Sequence, residues 1–210
     1  PIGDRHLFAD YPICLNIGGI ANVSYEMKDK RIAYDICMAN QLLNYLANKL
    51  GYDYDKNGQF ARQGNVNVEL FNFLNDNPYY RQEAPKSLGR EFFETVQHKV
   101  IDESSLSVND LLATATEHIA YQIAKSTDRL EKSKMLVTGG GAKNNFLIER
   151  IDALSKHEII IPDVMITDYK EALIFAFLGV LKMEGKINVL SSVTGASSDS
   201  SSGKIYQIES

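Results

Sequence analysis

Residues 13–35, ICLNIGGIANVSYEMKDKRIAYD, decide how the rest of the chain is read. Ile13 to Ile17 is apolar and β-prone, and Ala21 to Met27 follows directly. Met27, Lys28, Asp29 and Lys30 make a polar turn before Arg31 to Tyr34 extends again, so the stretch predicts three short strands in succession. Gly18 and Gly19, flanked by Asn16 and Asn22, lie between the first two strands. Glycines there let the chain turn with positive φ and bring backbone N–H groups close to a ligand. The third strand then delivers the carboxylate of Asp35 just ahead of a helix that begins near Asn40. A glycine turn able to hold phosphate, with a carboxylate two strands later, points to phosphoryl transfer. The same residues also suit a tight hairpin followed by an ordinary helix-capping Asp.

Downstream, Asn40 to Leu50 sets Leu42, Leu43, Leu46 and Leu50 at helical spacing, and Gly51 ends the helix. Tyr52 to Gly64 reads as a loop; its Asp53 and Asp55 have metal-loop spacing, but no further acidic ligands follow at the required positions, which favours a solvated loop. Asn67 to Asn75 predicts a short helix with Leu70, Phe73 and Leu74 inward. In PYYRQEAPKSLGREFF, residues 78–93, Pro78 and Pro85 bracket a turn, and Lys86, Ser87 and Arg90 surround Gly89. Two cations, a hydroxyl and a glycine so close suit an anionic or sugar ligand, or else a solvated loop ahead of a helix over Glu91 to Gln97. Ser107 is placed to cap a long helix, Asn109 to Leu130, with Leu112, Ile119 and Ile123 on one stripe; its His118 is assigned no role.

Lys134 to Val137 predicts another strand, followed at once by Thr138-Gly139-Gly140-Gly141-Ala142, and Asn144 then caps a helix through Leu154. Strand, triple glycine and helix start form a nucleotide-binding arrangement, because glycine admits close backbone approach and a helix N-terminus favours negative charge. The run is neither GxGxxG nor a P-loop. A tight strand-to-helix turn is the plainer alternative; a second glycine turn in the same chain weighs toward a nucleotide. Glu158 to Ile161 is the next apolar strand, ended by Pro162. Tyr169 to Met183 reads as a largely buried helix with Lys170 and Glu171 in its first turn. Pro1 to Tyr11 looks polar and irregular, Ser191 to Gly203 looks like a Ser-rich mobile loop, and Lys204 to Ile208 like a last edge strand.

Composition narrows the classes. Charged residues are 23% and hydrophobic ones 44% of 210, the balance of a soluble globular protein with one sizeable core or two small ones. A net charge of −5, with Lys and Arg scattered, argues against nucleic acid and anionic membranes as partners. Cys14 and Cys37 form no disulfide framework and lack the histidines of a zinc site, so reduced thiols in a cytosolic protein are expected. The longest apolar run, Ala172 to Leu181, is too short to span a bilayer, and no signal peptide opens the chain. Pro1 stands where an initiating Met would, so a longer polypeptide is expected.

Three consecutive strands, a helix, a helical region and two further strand–helix units predict a mixed sheet covered by helices, an α/β class. This is the half-domain order of the actin, Hsp70 and sugar-kinase superfamily, an actin-like ATPase (ribonuclease H-like) fold. The chain more specifically resembles the anhydro-N-acetylmuramic acid kinases. LNIGGIANVSY (residues 15–25) resembles that family's glycine hairpin, and PKSLGREFF (85–93) its PKSTGRE segment with Leu88 in place of Thr. LLATATEHIA (111–120), VTGGGAKNNFL (137–147), KEALIFAFL (170–178) and SVTGAS (192–197) follow in family order. Two departures stand out: the family's DTGPGN appears as DICMAN, residues 35–40, and the family's N-terminal part, with its first phosphate loop, has no counterpart.

The resemblance implies an ATP-dependent, magnesium-assisted phosphorylation of 1,6-anhydro-N-acetylmuramic acid with hydrolytic opening of its anhydro ring, giving N-acetylmuramic acid 6-phosphate for peptidoglycan recycling. It implies Asp35 as general base and Glu171 as its helper in positioning substrate or water. Gly139, Gly140, Gly141 and Asn144 would hold the adenosine side, Gly18 and Gly19 would face the phosphates, and Asn40, Lys86, Ser87 and Arg90 would hold the sugar. No protein-bound metal site is implied. The chain is then the C-terminal portion of a cytoplasmic sugar kinase, with residues 52–106 an inserted substrate-side region, an N-terminal lobe in the full protein and a homodimer as its expected assembly. The rival reading is a non-catalytic nucleotide-dependent binding module, or inactive fragment, of the same superfold.

Overall fold

A computed structural model describes residues 1–206 and, among them, every side chain but that of Arg90. Strand β1 (Ile13–Ile17) pairs antiparallel with β2 (Ile20–Met27), and β2 antiparallel with β3 (Lys30–Met38). On its other side β1 runs parallel to β4 (Lys134–Thr138), and β4 parallel to β5 (Glu158–Ile160), so the sheet order is β3-β2-β1-β4-β5. The central strand is buried on both faces, as parallel pairing beneath two helical layers demands. Ile13, Leu15 and Ile17 join one core, and Cys14 the opposite one, which is the two-residue alternation of a strand.

The helices divide between those faces. On the first lie α2 (Asn40–Asn48), α7 (Val108–Thr127) and α8 (Asn145–Leu154), whose Leu42, Leu46, Leu112, Ile119, Ile123, Leu147 and Ile151 are fully or almost fully buried. Caps expected from the sequence are made: the Ser107 hydroxyl accepts from Asp110 N and the Asn144 side chain from Leu147 N. The second face carries α1 (Ile2–Leu7) and α9 (Val164–Met183), around Ile2, Phe8, Leu136 and Leu181. Between α2 and α7 run short helical pieces: α3 (Gln59–Gln63), α4 (Val68–Asn75), a 3₁₀ turn Pro78–Arg81, α5 (Arg90–Phe92), a π segment Phe93–Gln97 and α6 (His98–Asp102).

Several expectations need correction. Pro1 to Tyr11 is not irregular: it forms α1, whose Asp4 is buried. The 52–64 loop contains α3, and the Asp55 carboxylate accepts from Phe60 N and Ala61 N in its first turn, at 2.9 Å each. Phe73 does not point inward; it is 48% exposed while Leu70 and Leu74 are buried. Strand β3 does not stop at Tyr34 but runs to Met38, because Ile36, Cys37 and Met38 have core to fill. Helix α9 starts five residues earlier than expected, at Val164, where the Asp163 side chain accepts from Ile166 N; this puts Lys170 and Glu171 in its second turn. Nor is α9 largely buried: one face packs on α1 and β4, and Val164, Met165, Phe175 and Met183 are exposed. The Ser-rich stretch is a bonded clasp rather than a mobile loop, with α10 (Ser191–Thr194) and a Val189–Ser200 bridge. Lys204 to Tyr206 is not a strand, and the remainder of the expected edge strand lies outside the described residues. Among the described residues no helix is long and apolar enough to cross a membrane.

Candidate functional site

Two clefts gather most of the expected site residues. The first, of about 460 Å³, is lined by Asn16, Asn22, Ser24, Asp35, Lys86, Ser87, Lys170 and Glu171 among others. Asp35 enters it from a β-bulge. Asn22 pairs with Asp35 and Ala21 with Cys37, so Ile36 is the extra residue on β3. Bulges re-aim side chains, and this one sits within the strand rather than at its end, where the sequence placed the carboxylate. The Asp35 carboxylate accepts from Leu88 N at 2.9 Å, and its carbonyl accepts from the Tyr79 hydroxyl at 2.5 Å. Burial pushes the Asp35 carboxyl above the usual range, and the Leu88 N–H pulls it partly back.

The same cleft also carries Lys86 and Ser87. The Lys86 ammonium donates to the Tyr79 carbonyl at 3.1 Å and lies 4.6 Å above the Tyr79 ring and 5.2 Å from that of Tyr34. Burial lowers its pKa. Glu171 reaches the cleft from α9, and the preceding Lys170 is tied down beneath it, its ammonium 2.7 Å from the buried Asp4 carboxylate. Asp4 in turn accepts from the Ser24 hydroxyl at 2.5 Å, and Arg31 donates to the same hydroxyl at 2.7 Å. This network lashes α1, β2, β3 and α9 together under the cleft.

The second cleft, also about 460 Å³, is lined by Asn40, Asn44, Tyr54, Asp55, Gly140, Lys143 and Asn144 among others. Its floor explains the triple glycine after β4. Gly139 has φ +85, and a Cβ there would stand 2.8 Å from the Ile17 carbonyl oxygen. A Cβ on Gly141 would stand 2.2 Å from the Ile17 side chain, so this glycine lets the loop sit directly on β1. Gly140 faces the cleft, where an added Cβ would meet only the Asn40 side-chain nitrogen, at 3.5 Å.

The expected site residues therefore divide. Asp35, Glu171, Lys86 and Ser87 come together in the first cleft, and Gly140 and Asn144 in the second. Asn40, expected beside the sugar, lines the second cleft and donates to the Ile17 carbonyl at 3.2 Å. Gly18 and Gly19 line neither and are not at positive φ. Their carbonyls accept from Asn40 N (3.1 Å), Ala39 N (2.8 Å) and Gln41 N (3.1 Å), which ties the turn to the start of α2. The Arg90 side chain lies outside the described residues. Sequence reasoning missed Asn16 and Asn22 as lining residues, although two asparagines facing each other across β1 and β2 were a usable signal. It also missed Tyr79 and Lys170, for which nothing local in the sequence gives a signal.

Solved structures with this architecture include the activator of the 2-hydroxyisocaproyl-CoA dehydratase from Clostridium difficile, in a form with bound ADPNP. It is 18% identical, with a TM-score of 0.53 over 89% of this chain and 67% of that one. Component A of the (R)-2-hydroxyglutaryl-CoA dehydratase of Acidaminococcus fermentans is 16% identical, with a TM-score of 0.50 over 81% of this chain and 62% of that one. These likenesses show an actin-like ATPase fold. Among curated relatives, the anhydro-N-acetylmuramic acid kinase of Vibrio vulnificus (strain YJ016) is 37% identical, and that of Pasteurella multocida (strain Pm70) 35%, over 92% and 94% of this chain. The chain spans 55% of the length of each. The family model described as anhydro-N-acetylmuramic acid kinase matches residues 3–208. With that match running almost from end to end, the chain belongs to the anhydro-N-acetylmuramic acid kinase family.

Proposed function

We propose that the whole protein phosphorylates 1,6-anhydro-N-acetylmuramic acid at the 6-oxygen while water opens the anhydro ring, and that this chain supplies the general base and part of the nucleotide cleft. The observation that carries the reading is the half-buried Asp35 carboxylate, set at a bulge in the same cleft as Lys86, Ser87 and Glu171. Attack at an acetal carbon needs a positioned carboxylate. Asp35 takes a proton from the attacking water as the water oxygen bonds to the anomeric carbon. The bond from that carbon to the bridging oxygen breaks, and the freed 6-oxygen receives the phosphoryl group. That group would come from ATP, leaving ADP, and magnesium bound with the nucleotide would supply charge neutralisation for the transfer. Among the described residues no group of three or more His, Cys, Asp or Glu side chains gathers to hold a metal by itself.

Lys86 and Ser87 hold the sugar in this reading, and Glu171 orients the substrate or the water. Gly140, Asn144 and Asn40 flank the nucleoside, and the short helices over residues 52–106 form the substrate-side wall. A cytoplasmic homodimer acting in peptidoglycan recycling is the setting that this chemistry suits.

Asp35→Asn in the complete protein tests the base. The amide keeps the size and the hydrogen bond from Leu88 but takes no proton. The expected result is a kcat lower by roughly 10²–10⁴-fold with ATP affinity preserved, and a correspondingly slower entry of ¹⁸O at C1 from labelled water. Near-normal turnover would reduce Asp35 to a structural residue.

A further inference from the structure

From the contacts around the bulge we infer that Tyr79 is a positioning residue for Asp35, gripping its backbone while Leu88 grips its carboxylate. The inference rests on the reading of Asp35 as base and deepens it. Asp35 lies on edge strand β3, and the Tyr79 hydroxyl donates to its carbonyl at 2.5 Å. Nine residues further along the same segment, Leu88 N donates to the Asp35 carboxylate at 2.9 Å. One segment thus holds the residue at two atoms, on either side of the bond whose rotation would swing the carboxylate.

Tyr79 is itself held fast. Its ring is buried, with Lys86 over one side and Phe92 at 5.8 Å. Its N–H donates to the Asn77 side chain at 2.9 Å, and its carbonyl accepts from Lys86 at 3.1 Å. Burial drives the phenol pKa up, so the hydroxyl stays a neutral donor. A bulge leaves a strand locally free of its ladder, and an unanchored base there would sample orientations away from the substrate. Misplacement of a reacting group by about 1 Å is enough to cost on the order of 10²-fold in rate.

The test is kcat, sugar KM and ATP affinity of the complete protein carrying Tyr79→Phe, Asp35→Asn, or both. Tyr79→Phe keeps the ring under Lys86 and removes only the donor. Its kcat should fall 10- to 100-fold, with sugar KM and ATP affinity within about twofold of the parent. The double variant should be no slower than Asp35→Asn alone, because a residue that acts only through Asp35 has nothing left to position. Should Tyr79→Phe fail to fold, Asn77→Ala loosens the turn that carries the tyrosine and should lower kcat severalfold in the same pattern. An inactive Asp35→Asn beside a fully active Tyr79→Phe, or additive losses in the double variant, would overturn the inference and leave the base reading intact. An active Asp35→Asn would overturn both.

Discussion

Of the three glycines after β4, Gly140 alone has room for a Cβ without a clash, and its φ is not in the left-handed region. Its neighbours are there for the backbone: Gly139 for its positive φ, Gly141 for its contact with Ile17. Gly140→Val should therefore fold and yet place two methyl groups in the cleft beside Asn40 and Asn144. ATP affinity of the complete protein should drop at least tenfold with the melting temperature nearly unchanged; a folded variant that binds ATP as before would remove the nucleoside from this cleft. Asp35 shows a different kind of residue-scale control, in which burial and a single backbone N–H act in opposite directions on one carboxyl. The net upward shift suits a base, since it brings the proton affinity of the carboxylate nearer to working pH. The neighbouring residues 37–39, where the family motif has Gly-Pro-Gly, are all buried here.

At the scale of elements, the parts legible in the sequence were those with a local signature. The strand–turn–strand meander has its polar turn, with Lys28 and Asp29 both at positive φ. Helices α7 and α8 have their Ser107 and Asn144 caps, and α2 its leucine stripe. What stayed hidden depends on partners far away in the chain. Helix α1 has little apolar periodicity, and it is held by Asp4 bonding to Ser24 and Lys170. Tyr79 and Asp35 meet across 44 residues, and no spacing rule announces that. The α9 boundary was missed because an apolar run says nothing of which face will be covered. Lys170→Met would leave Asp4 buried with Arg31 no nearer than 3.9 Å. It should cost about 3 kcal/mol, toward the lower end for a broken buried pair because Arg31 remains. Urea unfolding at pH 7 measures this, and a change under 1 kcal/mol would mean the pair is solvent-screened. Burial alone would raise the Asp4 pKa, but Lys170 and the Ser24 hydroxyl pull it down. Its contribution is therefore present above the unfolded carboxyl pKa and is lost as pH falls through the lowered one.

For the whole molecule, the sensitive group in the neutral-to-acid range is His118. It is fully buried on α7, 2.9 Å from the Asn75 side-chain oxygen and 3.3 Å from the Tyr80 hydroxyl. Burial lowers its pKa from 6.5 to about 3. The unfolded chain takes up this proton below pH 6.5 and the folded one does not, so stability declines as pH drops, by about 1.4 kcal/mol per unit. Between pH 6.5 and 5 the loss should approach about 2 kcal/mol. Denaturation curves at these two pH values give the slope, and His118→Gln should flatten it. A slope unchanged in that variant would assign the acid sensitivity elsewhere.

The β-bulge strand has a last consequence, which concerns neighbouring molecules rather than substrate. As the outermost strand of the sheet, β3 would ordinarily offer a row of free carbonyls and amides on which another chain could add its own strand, the first step of fibrous aggregation. Two of those carbonyls are already taken by hydroxyls, Arg31 by Ser192 at 2.6 Å and Asp35 by Tyr79. Helix α10 packs against the strand, and the extra residue at Ile36 breaks its regular spacing. At the opposite border β5 is only three residues long and is followed closely by Pro162, which has no N–H to offer. The same contacts that hold a carboxylate in place thus close the sheet to uninvited strands.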